Sequence, residues 1–349
     1  MYRLTTRTRA GTATAVAILI LVVVGVMLPA FASRSMIQDL FFILTMLTLA
    51  QLWNLLAGYG GLVSVGQQAF VGIGAYAMFA GVILLGWDPV WAIPLGGLAA
   101  FLLAVPTAFF AFRLQGAYFA IGTWVIAEVT RLLVAQWKAL GGGTGTSLPR
   151  EATRNIIGTD MIQALFGVRD AAARDILAYW LALMLVVLAT AGIYWLLRSR
   201  LGLALAAVRD NVDAAQSVGV DAGKLKWAVF LIAAAATGLT GALIFMQTAR
   251  ISPDAAFAVT DWTAYVIFIV VIGGIGTIEG PILGVLVFYM LRSVLDDYGS
   301  WYLMTLGVLA IVIMLFAPTG LWGLISARSG LHLFPVRRRL AGAKIEGEN

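Results

Sequence analysis

The sequence contains no cysteine and only one histidine, His332, among its 349 residues. Without cysteine the chain cannot form a disulfide, a thiolate nucleophile or a cysteine-ligated metal site. A lone histidine also excludes the paired-histidine helix that many zinc enzymes use. Redox enzymes and metal enzymes are therefore poor candidates for the function of this chain.

Charged residues are also scarce, at 11% of the chain, whereas hydrophobic residues make up 61% and the mean hydropathy is +0.95. An ordinary soluble domain carries about 25% charged and about 45–50% apolar residues. The composition therefore predicts a polytopic membrane protein. The net charge of +6 comes from basic residues beside apolar runs, so membrane lipid explains it better than nucleic acid, which we exclude as a partner.

Ten apolar runs divide the chain, and each predicts a membrane-spanning helix. Two of them, 263–275 and 281–295, are short, because a hydrocarbon core about 30 Å thick needs about 20 helical residues. We expect one or both to be tilted, broken or re-entrant. The pattern predicts an all-α membrane protein with about ten transmembrane helices in a single domain, residues 1–325. The runs are 12–28, 36–57, 62–85, 90–112, 117–137, 178–197, 227–248, 263–275, 281–295 and 301–316.

The first run, 12–28, has two interpretations. Three arginines precede it and Ala30-Phe31-Ala32 follows it, which imitates a secretory signal with its cleavage site. The run is long for the apolar core of a signal, so we favour an uncleaved first span.

Basic residues predict the orientation of the chain, since Lys and Arg are enriched on the cytoplasmic side of membrane proteins. With ten spans and a cytoplasmic N-terminus, fourteen of the 23 basic residues lie inside. We therefore expect both termini, the loop 198–226 and a basic tail at 326–349 to be cytoplasmic, with the polar segment 138–177 outside. The fourteen are Arg3, Arg7, Arg9, Arg113, Arg198, Arg200, Arg209, Lys224, Lys226, Arg328, Arg337, Arg338, Arg339 and Lys344.

The loop 198–226 contains an amphipathic pattern. Its apolar residues recur at steps of three and four, which predicts one short helix with a single apolar stripe. Asp210 is the predicted N-cap, and Gly219 is the predicted left-handed residue that ends the helix. Such a helix either lies on lipid or docks into a groove on another protein. The stripe consists of Leu201, Leu205, Val208, Val212 and Ala215.

Glycine is concentrated in two stretches, which we name the first glycine segment (54–76) and the second glycine segment (272–284). One explanation is close helix packing, because small residues let backbones approach each other in lipid. The other is a broken helix whose backbone lines a path, which a membrane tolerates only where protein or water covers it. Paired interruptions in the two halves of a transporter point to a substrate route between them.

A few acids lie within or near the apolar runs. Glu128 lies inside a span with Arg131 three residues later, so the two share a helix face. They form either a structural ion pair near the outer interface or a site for substrate or coupling. Glu279 is predicted to cap a helix or to face the cytoplasm. Asp254, Asp261, Asp296 and Asp297 are predicted to be solvated acids of outer loops.

The sequence lacks the motifs of nucleotide-binding proteins and enzymes. The stretch 219–225 has one residue too few between its glycines for a phosphate loop, and Leu225 stands where a magnesium-binding hydroxyl belongs. No serine elbow or kinase signature occurs. We expect this chain to be no enzyme and to bind no cofactor of its own.

Several short motifs are specific in their order and spacing. Asp213-Ala214-Ala215, followed after three residues by Gly219, resembles the EAA-x-x-x-G signature of bacterial ABC importer permeases, with Asp in place of Glu. The stretches LQGAYFAIGTW, GGGTGTSLP and VIGGIGTIEGPILG resemble the branched-chain amino acid permease family, in particular its M-type subunit. The similarity runs from about Leu49 to about Gly323, which is most of the chain.

The resemblance implies a membrane-spanning subunit of an ATP-driven importer for branched-chain amino acids in the bacterial inner membrane. In that family a second, homologous permease completes the pore, two ATPase subunits bind ATP and magnesium, and a periplasmic binding protein delivers the amino acid. By this resemblance Asp213, Ala214, Ala215 and Gly219 form the coupling helix that contacts an ATPase. The proline tail expected after the glycine is missing at 221–225, a departure that looks typical of this family.

The first glycine segment and the resemblance together suggest residues of a translocation path. Two other functions stay open, namely a permease for urea or short amides with the same architecture and a secondary transporter or channel that works alone. Competition by urea and copurification of ATPases separate these functions. The path candidates are Gly60, Gly61, Ser64, Gly66, Gln67, Gln68, Phe70, Tyr118 and Glu128.

Overall fold

Almost all of the described chain is helical. The computed structural model describes residues 3–5, 9–154, 156–295, 300–329, 333–334 and 339–341. In these residues, four strands of two or three residues form two small two-stranded sheets, and helices account for most of the rest. The prediction of an all-α membrane protein is confirmed. Asp296, Asp297, His332 and most of the predicted basic tail lie outside the described residues.

The helices follow the order of the predicted apolar runs, with shorter helices in the connections. The first eight are α1 (Arg9–Met27), α2 (Arg34–Asn54), α3 (Gln67–Leu85), α4 (Pro89–Ala111), α5 (Ala117–Ala135), α6 (Arg150–Arg154), α7 (Thr159–Phe166) and α8 (Asp170–Arg198). The next eight are α9 (Arg200–Asp210), α10 (Val212–Ser217), α11 (Ala222–Thr248), α12 (Pro253–Ala256), α13 (Tyr265–Gly273), α14 (Glu279–Leu295), α15 (Ser300–Phe316) and α16 (Gly320–Ser329).

Within the described residues, eight helical segments are long and apolar enough to cross a membrane. One further apolar helix, Val16–Ala30, is shorter, and the ninth run lies in α14, which has 17 residues. All ten predicted runs therefore overlap helices, and the ninth is short as predicted. The eight segments are Arg34–Tyr59, Gln67–Leu85, Pro89–Ala111, Ala117–Ala135, Asp170–Arg198, Ala222–Thr248, Pro253–Gly273 and Met304–Ser329.

The eighth predicted run was wrong in length, because the membrane segment begins at Pro253 and not at residue 263. It consists of α12, a bend, a π-helix at Thr260–Ala264 and α13. Asp254 and Asp261 made its first half look like an outer loop, yet Asp261 lies in the π-helix and is half-buried. The expected interruption is present, within a segment of normal length.

Helices α3, α4 and α11 cross at glycines in the centre of the bundle. A Cβ on Gly74 would lie 2.6 Å from the Cα of Gly238, and a Cβ on Gly96 would lie 2.7 Å from the carbonyl oxygen of Gly74. No larger residue fits at these contacts without moving a backbone. This part of the first glycine segment therefore serves close helix packing, which is the first of its two explanations.

A buried carboxylate joins three helices. Asp175 of α8 is 3% exposed and accepts hydrogen bonds of 2.6 Å from Arg34 Nε and 2.9 Å from Gln38 Nε2, both on α2. A longer contact of 3.4 Å comes from Gln247 Nε2 on α11. The carboxylate fixes these helices to one another at one end of the bundle.

That end of the bundle, which we call the segment end, carries residues 138–169. Strand β2 (Thr146–Ser147) pairs antiparallel with β3 (Arg250–Ile251), which follows α11. The amide of Ile157 donates a 2.9 Å hydrogen bond to Asp88 Oδ2, just before α4. The polar segment is therefore bound to the connections between the membrane helices.

The opposite end, which we call the loop end, carries α9 and α10. Strand β1 (Arg3–Thr5) pairs with β4 (Arg339–Ala341), so the two described terminal strands lie side by side. Glu279, at the start of α14, is 6% exposed and accepts a 2.8 Å hydrogen bond from the amide of Phe334. Glu279 therefore binds the chain after α16 and does not face solvent.

Candidate functional site

The loop between α8 and α11 holds two helices, α9 and α10, where the sequence predicted one. The chain breaks at Asn211, which has extended backbone angles of φ −158° and ψ 114°. The Asn211 side chain accepts a 3.0 Å hydrogen bond from the amide of Ala214 and caps α10. The prediction of Asp210 as the N-cap was wrong, because its carboxylate binds the Arg209 side chain instead.

Helix α10 presents most of its surface to solvent. Asp213 and Ala214 are exposed, whereas Ala215 is 2% exposed. Asp213 lies in the first turn, where the helix dipole favours a carboxylate. Gly219 has a φ of +86° with open space around it, so it forms the predicted left-handed turn. Three of the four predicted coupling residues are therefore accessible, and Ala215 anchors the helix.

The predicted apolar stripe holds α9 and α10 to the bundle. Leu205, Val208 and Ala215 are buried in one apolar cluster with residues of α11. Val212 is half-buried and packs against the same cluster, whereas Leu201 is 54% exposed. The stripe therefore faces protein from Leu205 onwards.

Capping side chains fix both ends of this loop. Ser199 accepts a 3.1 Å hydrogen bond from the amide of Leu201 at the start of α9. Asp221 accepts a 3.0 Å hydrogen bond from the amide of Lys224 at the start of α11. That bond, together with the Lys224 side chain, lowers the pKa of Asp221 below its usual value. The carboxylate therefore stays ionised at neutral pH and keeps the cap.

The first glycine segment contains a broken helix. A π-helix at Leu55–Tyr59 follows α2, and residues 60–66 are not helical. The indole Nε1 of Trp53 donates a 2.8 Å hydrogen bond to the carbonyl oxygen of Ser64, so the chain folds back beside α2. Gly60, Ser64 and Gly66 are buried, whereas Gly61 is exposed. The helix is therefore broken in another part of the same segment, as the second explanation requires, and the path along its backbone stays a prediction.

Two glutamines begin α3 in the protein interior. Gln67 is 2% exposed and Gln68 is 1% exposed. The hydroxyl of Thr263 donates a short hydrogen bond to Gln68 Oε1, whereas neither side-chain polar atom of Gln67 has a partner. A Cβ on Gly66 would overlap the carbonyl oxygen of Thr123, so this region also touches α5. An unpaired buried amide costs about 1–3 kcal/mol, which marks Gln67 as a site for a polar partner.

The second glycine segment packs directly against the first. Asn54 Oδ1 accepts a 2.8 Å hydrogen bond from the amide of Gly276, and its Nδ2 donates one of 2.8 Å to the carbonyl oxygen of Thr277. Gln51 Nε2 donates a 2.7 Å hydrogen bond to the carbonyl oxygen of Ile278. The two interruptions noted in the sequence therefore meet at the loop end.

The remaining path candidates lie apart from this break. Phe70 is buried in α3, and Tyr118, in the first turn of α5, is 73% exposed. Glu128 Oε1 lies 2.6 Å from Arg131 Nη2, and Arg131 Nη1 lies 2.8 Å from Asp254 Oδ1 at the segment end. This geometry is that of a structural ion pair near the interface, one of the two predicted roles.

Within the described residues, no three acidic or histidine side chains lie close enough to hold a metal ion.

Sequence reasoning missed the polar side chains that hold the break. Arg209 Nη1 donates a 3.1 Å hydrogen bond to the carbonyl oxygen of Gly58. Gln51 and Asn54 are three residues apart in the mainly apolar second half of α2, and both are buried. Polar residues inside a membrane helix generally face the bundle interior, so this spacing was a usable signal. The partner loop they bind was not predictable from the sequence.

Comparison with known proteins identifies the family. A family model described as branched-chain amino acid transport system / permease component matches residues 35–318. No solved structure matches the chain.

Curated relatives agree with this match. The high-affinity branched-chain amino acid transport system permease protein LivM of Salmonella typhimurium is 33% identical over 313 residues, which are 85% of this chain and 72% of that protein. LivM of Escherichia coli is 32% identical over 283 residues, 77% of this chain and 65% of that protein. The corresponding permease protein BraD of Pseudomonas aeruginosa is 25% identical over 284 residues, 78% of this chain and 89% of that protein. The chain thus belongs to the branched-chain amino acid transport system permease family.

Proposed function

We propose that this chain is the membrane-spanning subunit of an ATP-driven importer for branched-chain amino acids. It forms the translocation path with a second, homologous permease and binds separate ATPase subunits through α10. ATP and magnesium act on those ATPases, a periplasmic binding protein supplies the amino acid, and the chain itself holds no cofactor. The location is the bacterial inner membrane, surrounded by lipid.

The observation that carries this proposal is the exposed helix α10 in a chain of this family. Ala215 anchors the helix in the apolar cluster, and Asp213, Ala214 and Gly219 remain open on its surface. A short helix with small exposed residues fits closely into a groove on a partner. An amphipathic helix that lies on lipid needs an apolar outer face. The apolar stripe here is turned toward the bundle, which favours a protein partner.

The broken helix supports the assignment of the path. Non-helical backbone at membrane depth is stable only where protein or water covers it. We assign the path to the break, with Gly60, Gly61, Ser64, Gly66, Gln67 and Gln68 along it and Phe70 behind it. The buried side of α5 meets the break, where the Val65 amide donates a 3.1 Å hydrogen bond to Thr123 Oγ1. We assign the exposed face of α5, which carries Tyr118, to the second permease. Glu128 lies at the segment end of α5, where the binding protein would dock.

The test is uptake of labelled leucine by the assembled transporter with Ala214→Trp. The indole fills the surface of α10 that we assign to the ATPase, so we expect the ATPases to be lost on purification and uptake to fall at least about tenfold. Ala327→Trp is the matched control, because Ala327 is also helical, exposed and at the loop end. Normal ATPase binding and normal uptake in Ala214→Trp would remove the docking role.

The same assay separates the alternative functions. If urea competes with leucine for uptake, the substrate is a short amide. If the purified chain moves leucine down a gradient with no ATPase present, it works alone as a secondary transporter or channel. Each of these results contradicts the proposed function without depending on α10.

A further inference from the structure

The side chain of Arg209 lies where the loop 198–226 meets the two glycine segments. Its Nη1 donates a 3.1 Å hydrogen bond to the carbonyl oxygen of Gly58, in the π-helix of the first glycine segment. The same nitrogen lies 3.7 Å from the position of a Cβ on Gly276, in the second glycine segment. One guanidinium from the loop therefore hydrogen-bonds the first interruption and lies beside the second.

Glycine allows this contact. A Cβ on Gly58 would lie 2.6 Å from the amide nitrogen of Gly276, so the two backbones touch with no side chain between them. Gly276 has a φ of +75°, which side chains rarely tolerate. Asn54 binds the Gly276 amide and the Thr277 carbonyl oxygen from the other side. The end of α2 and the loop before α14 are thus held as one unit by hydrogen bonds.

Arg209 is itself fixed on the loop side. It lies in the last turn of α9, two residues before the cap of α10. Asp210 Oδ1 accepts hydrogen bonds of 3.0 Å from Arg209 Nε and 2.9 Å from Arg209 Nη2, which orients the planar guanidinium. These contacts connect α10, through Asn211 and Arg209, to the carbonyl oxygen of Gly58, so they offer a route by which a displacement of α10 would reach it.

The element that receives this displacement has the features of a conformational switch. π-helical turns frequently occur at functional sites. The turn here leads into the non-helical residues 60–66 and then to Gln67, whose buried amide has no partner in this arrangement. Coupling between distant sites can be carried by rigid elements joined through contacts. The contacts from α10 through Arg209 to Gly58, and the chain from there to Gln67, form such a connection.

We propose that Arg209 is a positioning residue that transmits movement of α9 and α10 to the two glycine segments. The proposal rests on the proposed function, because the ATPases supply the movement. Arg209 takes no part in ATPase docking or in amino acid binding. Its role is to make the Gly58 carbonyl and the second glycine segment move together with α10.

The test uses the complete transporter, with its second permease, ATPases and binding protein, in proteoliposomes. Arg209→Met keeps the length of the side chain and removes the hydrogen bonds. We expect normal copurification of the ATPases and basal ATP hydrolysis within about twofold of the native complex. We also expect leucine uptake per ATP hydrolysed to fall at least about tenfold. Arg328→Met is the matched control, since Arg328 is an exposed arginine at the same end that forms no ion pair within the described residues, and it should change neither quantity.

Two other variants decide the question if Arg209→Met fails to fold. Arg209→Lys keeps the charge but cannot bond Gly58 and Asp210 at once, so it should also lower uptake per ATP. Asp210→Asn keeps Arg209 but weakens the hydrogen bonds that orient its guanidinium, so it should lower uptake per ATP by about two- to fivefold. Unchanged uptake per ATP in these variants overturns the inference. A parallel loss of ATPase binding also overturns it, because Arg209 would then belong to the docking surface.

Failure of the proposed function gives a different result. In that case the native chain itself retains no ATPase or shows no ATP-dependent leucine uptake, whatever residue stands at 209. If the native complex is active and the Arg209 variants show the same leucine uptake per ATP, only the inference about Arg209 is contradicted.

Discussion

Asp175 carries a buried charge whose partners differ in their access to water. The carboxylate side chain is 2% exposed, whereas that of Arg34 is 53% exposed. Removing Arg34 leaves a buried charge with two glutamine contacts, while removing the charge of Asp175 leaves an arginine that water can solvate. The two halves of this ion pair therefore contribute unequally to stability.

We predict that Arg34→Gln destabilises the protein more than Asp175→Asn does. The expected losses are about 3 kcal/mol for Arg34→Gln, from an uncompensated buried charge, and about 1 kcal/mol for Asp175→Asn. The double variant should recover most of the loss, since no charge then remains buried. Thermal unfolding in detergent measures all three. An equal loss in both single variants would contradict this prediction, and Asp160→Asn, at an exposed site on α7, is the neutral control.

Single residues differ in how well the sequence revealed their roles. Gly219 and the Glu128–Arg131 pair were predictable because turns and helix faces are local. Asp175 was not, since its partners lie 137 and 141 positions earlier in the chain. Asp210 was misjudged because Asn211 is an equally good capping residue, and only the backbone angles decide between neighbours.

The short helix α10 depends on its cap, because six residues are too few for a helix that is stable on its own. We predict that Asn211→Ala frays α10 at a cost of about 1 kcal/mol, while Asn211→Asp preserves it. Hydrogen exchange of the peptide that contains Ala214 is the measurement, because the Ala214 amide donates to the lost oxygen. Faster exchange is expected in Asn211→Ala only, and native-like exchange there would show that packing alone maintains the helix.

Elements were predictable where apolar runs were long and uninterrupted. Within the described residues, seven of the ten apolar runs gave membrane helices nearly in place, apart from the sixth, which begins at Asp170. The first and ninth runs gave shorter helices, and the segment of the eighth began at Pro253 and not at residue 263. Asp254 is solvated as predicted, whereas Asp261 is half-buried, and a sequence pattern cannot tell a protein-covered acid from a solvated one. The sequence also failed to separate α9 from α10. The apolar stripe continues without interruption across Asn211, whereas the helical backbone breaks there.

At the scale of the whole molecule, the two glycine segments lie far apart in sequence yet form one contact region. Asn54 and Gly276 are separated by 222 positions. From their glycines, the sequence suggested that both segments are interrupted and border one route, but it did not predict which residues make the contact between them. Their contact at the loop end, next to Arg209, is what connects the candidate path with the candidate docking helix.

The charges of the chain predict its orientation in the membrane, and this prediction can be measured directly. The native chain has no cysteine, so a single introduced cysteine is the only thiol that a membrane-impermeant maleimide can label. Val218 at the loop end is 76% exposed and Met161 at the segment end is 74% exposed, which makes them a matched pair. Because basic residues favour the cytoplasmic side, we expect Met161→Cys to react in intact cells and Val218→Cys only in inverted vesicles.

The native chain should be unlabelled in both preparations, which controls for other reactive groups. Adding the ATPases to inverted vesicles should then protect Val218→Cys, since α10 lies directly before it, and leave Met161→Cys unaffected. Labelling of Val218→Cys in intact cells would place α10 on the outer face, where no ATP is available. That result would contradict the proposed docking helix and the role of Arg209 together, because both need the loop end to face the cytoplasm.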